Sequence, residues 1–130
     1  MFLNMLTIEE RSAFAELAEK MIQADGIEIG RETAALAALK AEMGITGGVA
    51  DDRSLAELAG VFANKRSKIA ALLELMGLGY SDTSYSVDEE SLITSVASEM
   101  GVSPEELAEV EAWVKDHVAL IRRAMVLMRD

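Results

Sequence analysis

The chain has 130 residues, about half of them apolar, with 23 acidic against 12 basic side chains and a net charge of −11; this fits one domain with a real core and argues against disorder. The absence of cysteine excludes disulfides, thiolate metal sites and cysteine catalysis, and a lone histidine, His117, leaves His-rich metal sites and most general-base schemes hard to build. So acidic a surface repels phosphate backbones and anionic headgroups, which sets nucleic acid and membrane lipid aside as partners and favours cations or a basic protein surface.

Met1 to Leu6 is apolar but interrupted by Asn4, and it lacks the basic flank and length of a signal peptide. No apolar run approaches the ~18–20 residues of a membrane span. A cytoplasmic protein without membrane insertion is expected. Thr7 with Glu10 three positions on reads as a capping box. Phe14, Leu17, Ala18, Met21 and Ile22 then recur at helical spacing, and Gly26 supplies a stop. A second helix is predicted over about 31–43, with Ala35, Leu36, Leu39 and Met43 inward and Gly44 ending it. Asp51 and Asp52 offer the cap of a third, carrying Leu55, Leu58, Val61 and Phe62. A kink or short loop is expected at Asn64–Ser67, before a fourth helix with Ile69, Leu72, Leu73, Leu75 and Met76. The fifth runs from Val87 to Met100. Ser103-Pro104-Glu105-Glu106 combines a serine cap, proline at the first helical position and glutamate at the third. The long helix it opens has one apolar side at Leu107, Val110, Val114, Val118, Ile121, Met125 and Met128, and another at Trp113, Leu120 and Leu127. That is broader than a one-sided surface helix needs, so it is central to the core or presents a second face to a partner. No stretch alternates as a strand does. The expected fold is all-α, about six helices: two related helix–loop–helix halves, about 7–45 and 66–102, and a closing helix over about 104–128.

The two halves share an acidic unit. Asp25 precedes Glu32 by seven positions, and Asp82 precedes Glu89 by seven. Each glutamate is followed, eleven positions later, by Met-Gly and an apolar residue (Met43-Gly44-Ile45 and Met100-Gly101-Val102), which gives an offset of 57 between units. An Asp at one helix end and a Glu opening the next can converge across a tight loop. Two such units about a pseudo-twofold axis would gather Asp25, Glu32, Asp82 and Glu89. Four carboxylates repel unless a cation lies between them, and oxygen clusters suit Ca²⁺, Mg²⁺ or Mn²⁺. An ordinary EF-hand is a poor fit, because Ile27 and Ile29 fill alternate positions of a loop that is too short. The alternative is purely structural: acids in a first helical turn gain ~0.3–1 kcal/mol from the helix dipole, and Asp25-Gly26 is a common turn pairing.

Phe14-x-x-Leu17-Ala18, Ile22, Ala24-Asp25-Gly26 and Glu32, then Met43-Gly44-Ile45 and Ser103-Pro104-Glu105-Glu106-Leu107, resemble the TerB-like group of the tellurite-resistance proteins over roughly 6–114. The resemblance implies an all-helical duplicated domain, without established catalysis, that binds or responds to metal in stress and phage-defence systems. Its acidic positions fall on Asp25, Glu32, Asp82 and Glu89. The second loop departs from the pattern: Ser81-Asp82-Thr83 replaces Ala-Asp-Gly, Tyr85 could fill a ligand's space, and Asp88 is an alternative to Glu89.

His117 lies beside Val114, Val118 and Ile121, where packing is the ordinary role of a lone helix histidine. Trp113 and Met125 are the candidate interaction residues, since a large aromatic on a broad apolar helix needs cover and methionine is pliable. Lys65-Arg66-x-Lys68 is expected to pair with nearby acids, and Gly47-Gly48 is no phosphate loop because no Gly-Lys-Ser/Thr follows. Two functional expectations follow. One is a non-enzymatic TerB-like module of tellurite or metal stress response that binds a divalent cation through its acidic loops. The other is a helical protein–protein interaction or assembly domain, with a protein partner or as a homodimer, and no metal site.

Overall fold

Reciprocal caps set where the helices begin. The computed structural model describes residues 2–23, 53–80 and 86–129, with the helical positions 37, 38 and 41 between the first two stretches. Thr7 Oγ1 accepts the Glu10 N–H (3.2 Å) while Glu10 Oε1 accepts the Thr7 N–H (2.9 Å), and α1 (Ile8–Gln23) follows. The same exchange opens α2 (Leu55–Gly60) through Ser54 and Glu57, α3 (Lys65–Gly79) through Asn64 and Ser67, and α4 (Val87–Met100) through Ser86 and Glu89. It opens α5 (Pro104–Leu127) through Ser103 and Glu106, with Pro104 at the first position. Each box satisfies two N–H groups that the helix cannot, and a side-chain cap contributes about 1 kcal/mol. At the far end of α4, Gly101 adopts φ +78°, and the Val102 and Gly101 N–H groups donate to Ala97 (2.9 Å) and Ser98 (3.0 Å) carbonyls. This paired stop needs the left-handed conformation that glycine adopts without strain.

The helices pack around α3, which meets α1, α4, α5 and a short 3₁₀ turn at Leu3–Met5; α2 lies against α4 and α1. Leu72, Leu75 and Met76 of α3 join Phe14, Leu17 and Met21 of α1, Leu58 of α2, Ile93 and Val96 of α4, and Val110 and Val114 of α5 in one buried core. Each such side chain contributes roughly 1.5–3 kcal/mol of burial. Ala13 through Ala18 are all buried, so α1 is enclosed on every side at its middle. The N-terminal turn is pinned to α3: the Phe2 N–H donates to Glu74 Oε1 (2.8 Å), and Leu3 and Leu6 are buried.

The fold is all-α, with no strand among the described residues. Five α-helices are described against about six expected. The second expected helix lies outside the described residues apart from Ala37, Ala38 and Ala41, which are helical and exposed. The third helix is capped by Ser54, because the box it closes with Glu57 sits directly on Leu55; Asp51 and Asp52 lie outside the described residues. The expected break before the fourth helix is real and falls at Val61–Asn64. α1 and α3 begin at 8 and 65, an offset of 57 equal to that of the acidic units.

The long last helix divides into two parts. Val110 and Val114 are buried and Leu107 and Val118 are half-buried against the body, yet from Ala119 to Arg129 every residue but the half-buried Ala124 is exposed. No described helix is long and apolar enough to cross a membrane.

Candidate functional site

Of the four carboxylates expected to share a cation, Asp25, Glu32 and Asp82 lie outside the described residues. Glu89 is described and wholly buried. Its Oε1 accepts the Ser86 N–H at 3.0 Å, and its Oε2 takes no hydrogen bond among the described residues. One oxygen is therefore committed to the α4 cap and the other is free to accept. Among the described residues no three acids or histidines are grouped so as to hold a metal ion.

Two other glutamates are buried, Glu10 and Glu16, and sequence pointed only to Glu10, as the cap partner of Thr7. Glu10 caps α1 and also accepts the Ala63 N–H at 3.1 Å, which ties the head of α1 to the α2–α3 connection. Burial pushes its carboxyl up, but hydrogen bonds from the Thr7 and Ala63 backbone and from the Ser67 and Thr7 side chains outweigh this and hold it below the usual range. Glu16 sits in the enclosed middle of α1, with Oε2 on Arg53 Nε and Oε1 without a hydrogen bond among the described residues. Neither could be found from periodicity, which places charged residues at the surface; Glu10 had a signal, but only as a cap.

A cavity of about 620 Å³ opens between α4 and α5, with Ile93, Ala97, Val102 and Leu107 on its walls and Glu90 and Glu111 beside them. Two of its polar side chains are engaged within the fold. The Thr94 hydroxyl donates to the Glu90 carbonyl (2.8 Å), and Glu111 pairs with Lys115 at 3.3 Å. Close by, burial first and then the Glu111 charge push the Tyr80 phenol up.

The expected interaction residues lie on α5. Trp113, 42% exposed, stacks on His117 with centroids 5.0 Å apart and meets Phe2 edge-on at 5.6 Å. These three, with Leu73 and Val118, line a further cavity of about 170 Å³. Met125 lies beyond the body, in a run where Leu120, Ile121, Val126, Leu127 and Met128 are also exposed. Arg122, Arg123 and Arg129 share this run and form no ion pair among the described residues. The lysine cluster behaves as expected at Lys65, which binds Glu106 at 2.8 Å; that contact pulls the Glu106 carboxyl down and raises Lys65.

Set against protein-family models, curated proteins and solved structures, the chain matches none of them.

Proposed function

We propose that this protein is a non-enzymatic helical assembly module that docks a protein partner on the apolar face of the second half of α5. One observation carries the reading: the apolar sides of α5 continue without interruption past the last residue the body covers. Six large apolar side chains stand in water there, each at least 51% exposed. Monomeric domains rarely leave so contiguous an apolar surface uncovered, and such patches mark interfaces. The chain has no cysteine, so a single Met125→Cys thiol reports on this face alone. In extracts of the native cells, with each rate divided by that of the same chain unfolded in urea, its alkylation is expected to be severalfold slower than that of an Ala112→Cys thiol on the outer side of α5. Equal rates at both positions would sink the reading.

A second reading, a divalent-cation site at the acidic loops, is favoured by one observation: the buried Glu89 Oε2, which no hydrogen bond among the described residues satisfies. A buried carboxylate oxygen without a partner is costly, and a cation beside it removes that cost. The resemblance to the TerB-like group supports a role in tellurite or metal stress. Chelator treatment followed by thermal unfolding with Ca²⁺, Mg²⁺ or Mn²⁺ tests it. A native-state ligand at a hundredfold excess over its dissociation constant adds ~2.7 kcal/mol. A small equal rise with all three ions means only screening of the acidic surface.

A further inference from the structure

We infer that the partner of α5 is a second copy of this chain, paired antiparallel along α5 with Leu120 at the crossing. The inference rests on the docking reading above and names the occupant.

The seam is written in the helix. Trp113, His117, Leu120, Ala124 and Leu127 follow one another at spacings of four, three, four and three, the repeat that keeps a stripe facing a partner helix. Turned end for end about Leu120, the stripe complements itself. Leu120 meets Leu120, Ala124 of one copy lies opposite the larger His117 of the other, and Leu127 arrives at Trp113. The 170 Å³ cavity lined by Trp113, His117, Phe2 and Leu73 lies where that leucine lands.

The edges of the seam decide orientation. Asp116 and Arg123 lie on one edge, seven positions apart, both exposed and without a hydrogen bond or ion pair among the described residues. They are too far apart along one helix to reach each other, since only positions three or four apart are neighbours. In the antiparallel pair each Arg123 comes beside Asp116 of the other copy, twice per dimer. Ile121 and Met128 on the opposite edge continue the buried Val114 and close the core side. A parallel pair offers Asp116 no such mate and brings both bodies to the same end. An alignment moved toward the tip gathers the arginines of both copies. Exposed charge pairs add little affinity, but they select orientation.

Sedimentation of the full chain over a wide concentration range tests this. The mass is expected to rise from 14.0 kDa toward twice that value. Leu120→Glu, at a side chain 59% exposed, is expected to keep the helical circular-dichroism spectrum and to remain monomeric. Asp116→Arg and Arg123→Asp chains are each expected to self-associate at least severalfold more weakly than the parent. Mixed, they are expected to pair, because every reversed charge then finds its opposite. A chain that stays monomeric, a dimer indifferent to Leu120→Glu, or two charge variants that fail to pair when mixed overturns the inference. If the pure chain is monomeric yet Met125→Cys is protected in native extract, the docking reading stands with another protein as partner. If the thiol is unprotected as well, both fail. Protection by phosphatidylglycerol vesicles alone assigns the face to a lipid surface and overturns both.

Discussion

Arg53 Nε lies 2.8 Å from Glu16 Oε2, so the residue before the α2 cap reaches into the enclosed middle of α1. The carboxylate is buried while about a third of the arginine side chain is exposed. Removing one partner of such a pair leaves the other charge uncompensated. Arg53→Met is expected to cost about 2–3 kcal/mol, less than a fully buried pair because water still reaches the arginine. Glu16→Gln should cost less than Arg53→Met, since the amide keeps the shape without a buried charge. Urea unfolding of the two variants measures the order. An Arg53→Met chain as stable as the parent would show that the contact carries no stability.

Glu10 gives a pH dependence with a defined sign. Its carboxyl is held below the ordinary value of 4.5 in the folded chain. The folded state therefore binds its proton less readily than the unfolded state, and the stabilisation is complete above about 4.5. It is lost as pH falls through the lowered folded value. Glu10→Gln is expected to flatten this acid limb of the stability curve while also lowering stability at neutral pH. Unfolding midpoints measured from pH 7 down to pH 3 test both parts.

Two glycines are expected to respond oppositely to alanine. Gly77 lies inside α3, and nothing stands within 4 Å of the position its Cβ would take. Gly77→Ala is expected to stabilise by roughly 0.5–1 kcal/mol through the unfolded chain's lost freedom. Gly101 has equal room but φ +78°, so Gly101→Ala is expected to cost about 1–2 kcal/mol from the left-handed backbone alone. Thermal midpoints of the two variants should move in opposite directions.

Glu89→Gln separates the cap from the cation. Without an ion, the amide oxygen takes over the Ser86 N–H and the buried charge disappears, so stability should change by less than about 1 kcal/mol. With a bound ion, the same substitution abolishes the cation-dependent rise in midpoint, as Asp25→Asn with Glu32→Gln would. A rise that survives Glu89→Gln excludes Glu89 as a ligand.

Much of the helical layout was legible because the signals are local. Thr7 with Glu10 and Ser103-Pro104 with Glu106 state helix starts within four residues, and the helix expected over Val87–Met100 has those bounds, with Gly101 as its stop. The same logic was present at Ser54 and Glu57 but was masked by Asp51-Asp52, two better-known cap residues in front of it. Glu89 was ambiguous for a physical reason: a first-turn glutamate serves a cap and a ligand set equally well, and only its burial and its bond to Ser86 distinguish the two uses of its oxygens. Glu16 was invisible, since a charge beside Leu17 reads as surface until the surroundings of α1 are known. The apolar breadth of the last helix was legible; where the body stops covering it was not, because that depends on the position of α3.

Each of the five α-helices α1 to α5 begins with bonds between residues three apart, so the residue at which it starts is fixed by its own first turn. The start of each of these helices is thereby written into its own sequence rather than into the connection ahead of it. A residue inserted ahead of Ser86 is expected to leave the Ser86–Glu89 box intact, and with it the start of the helix that carries Ile93 and Val96.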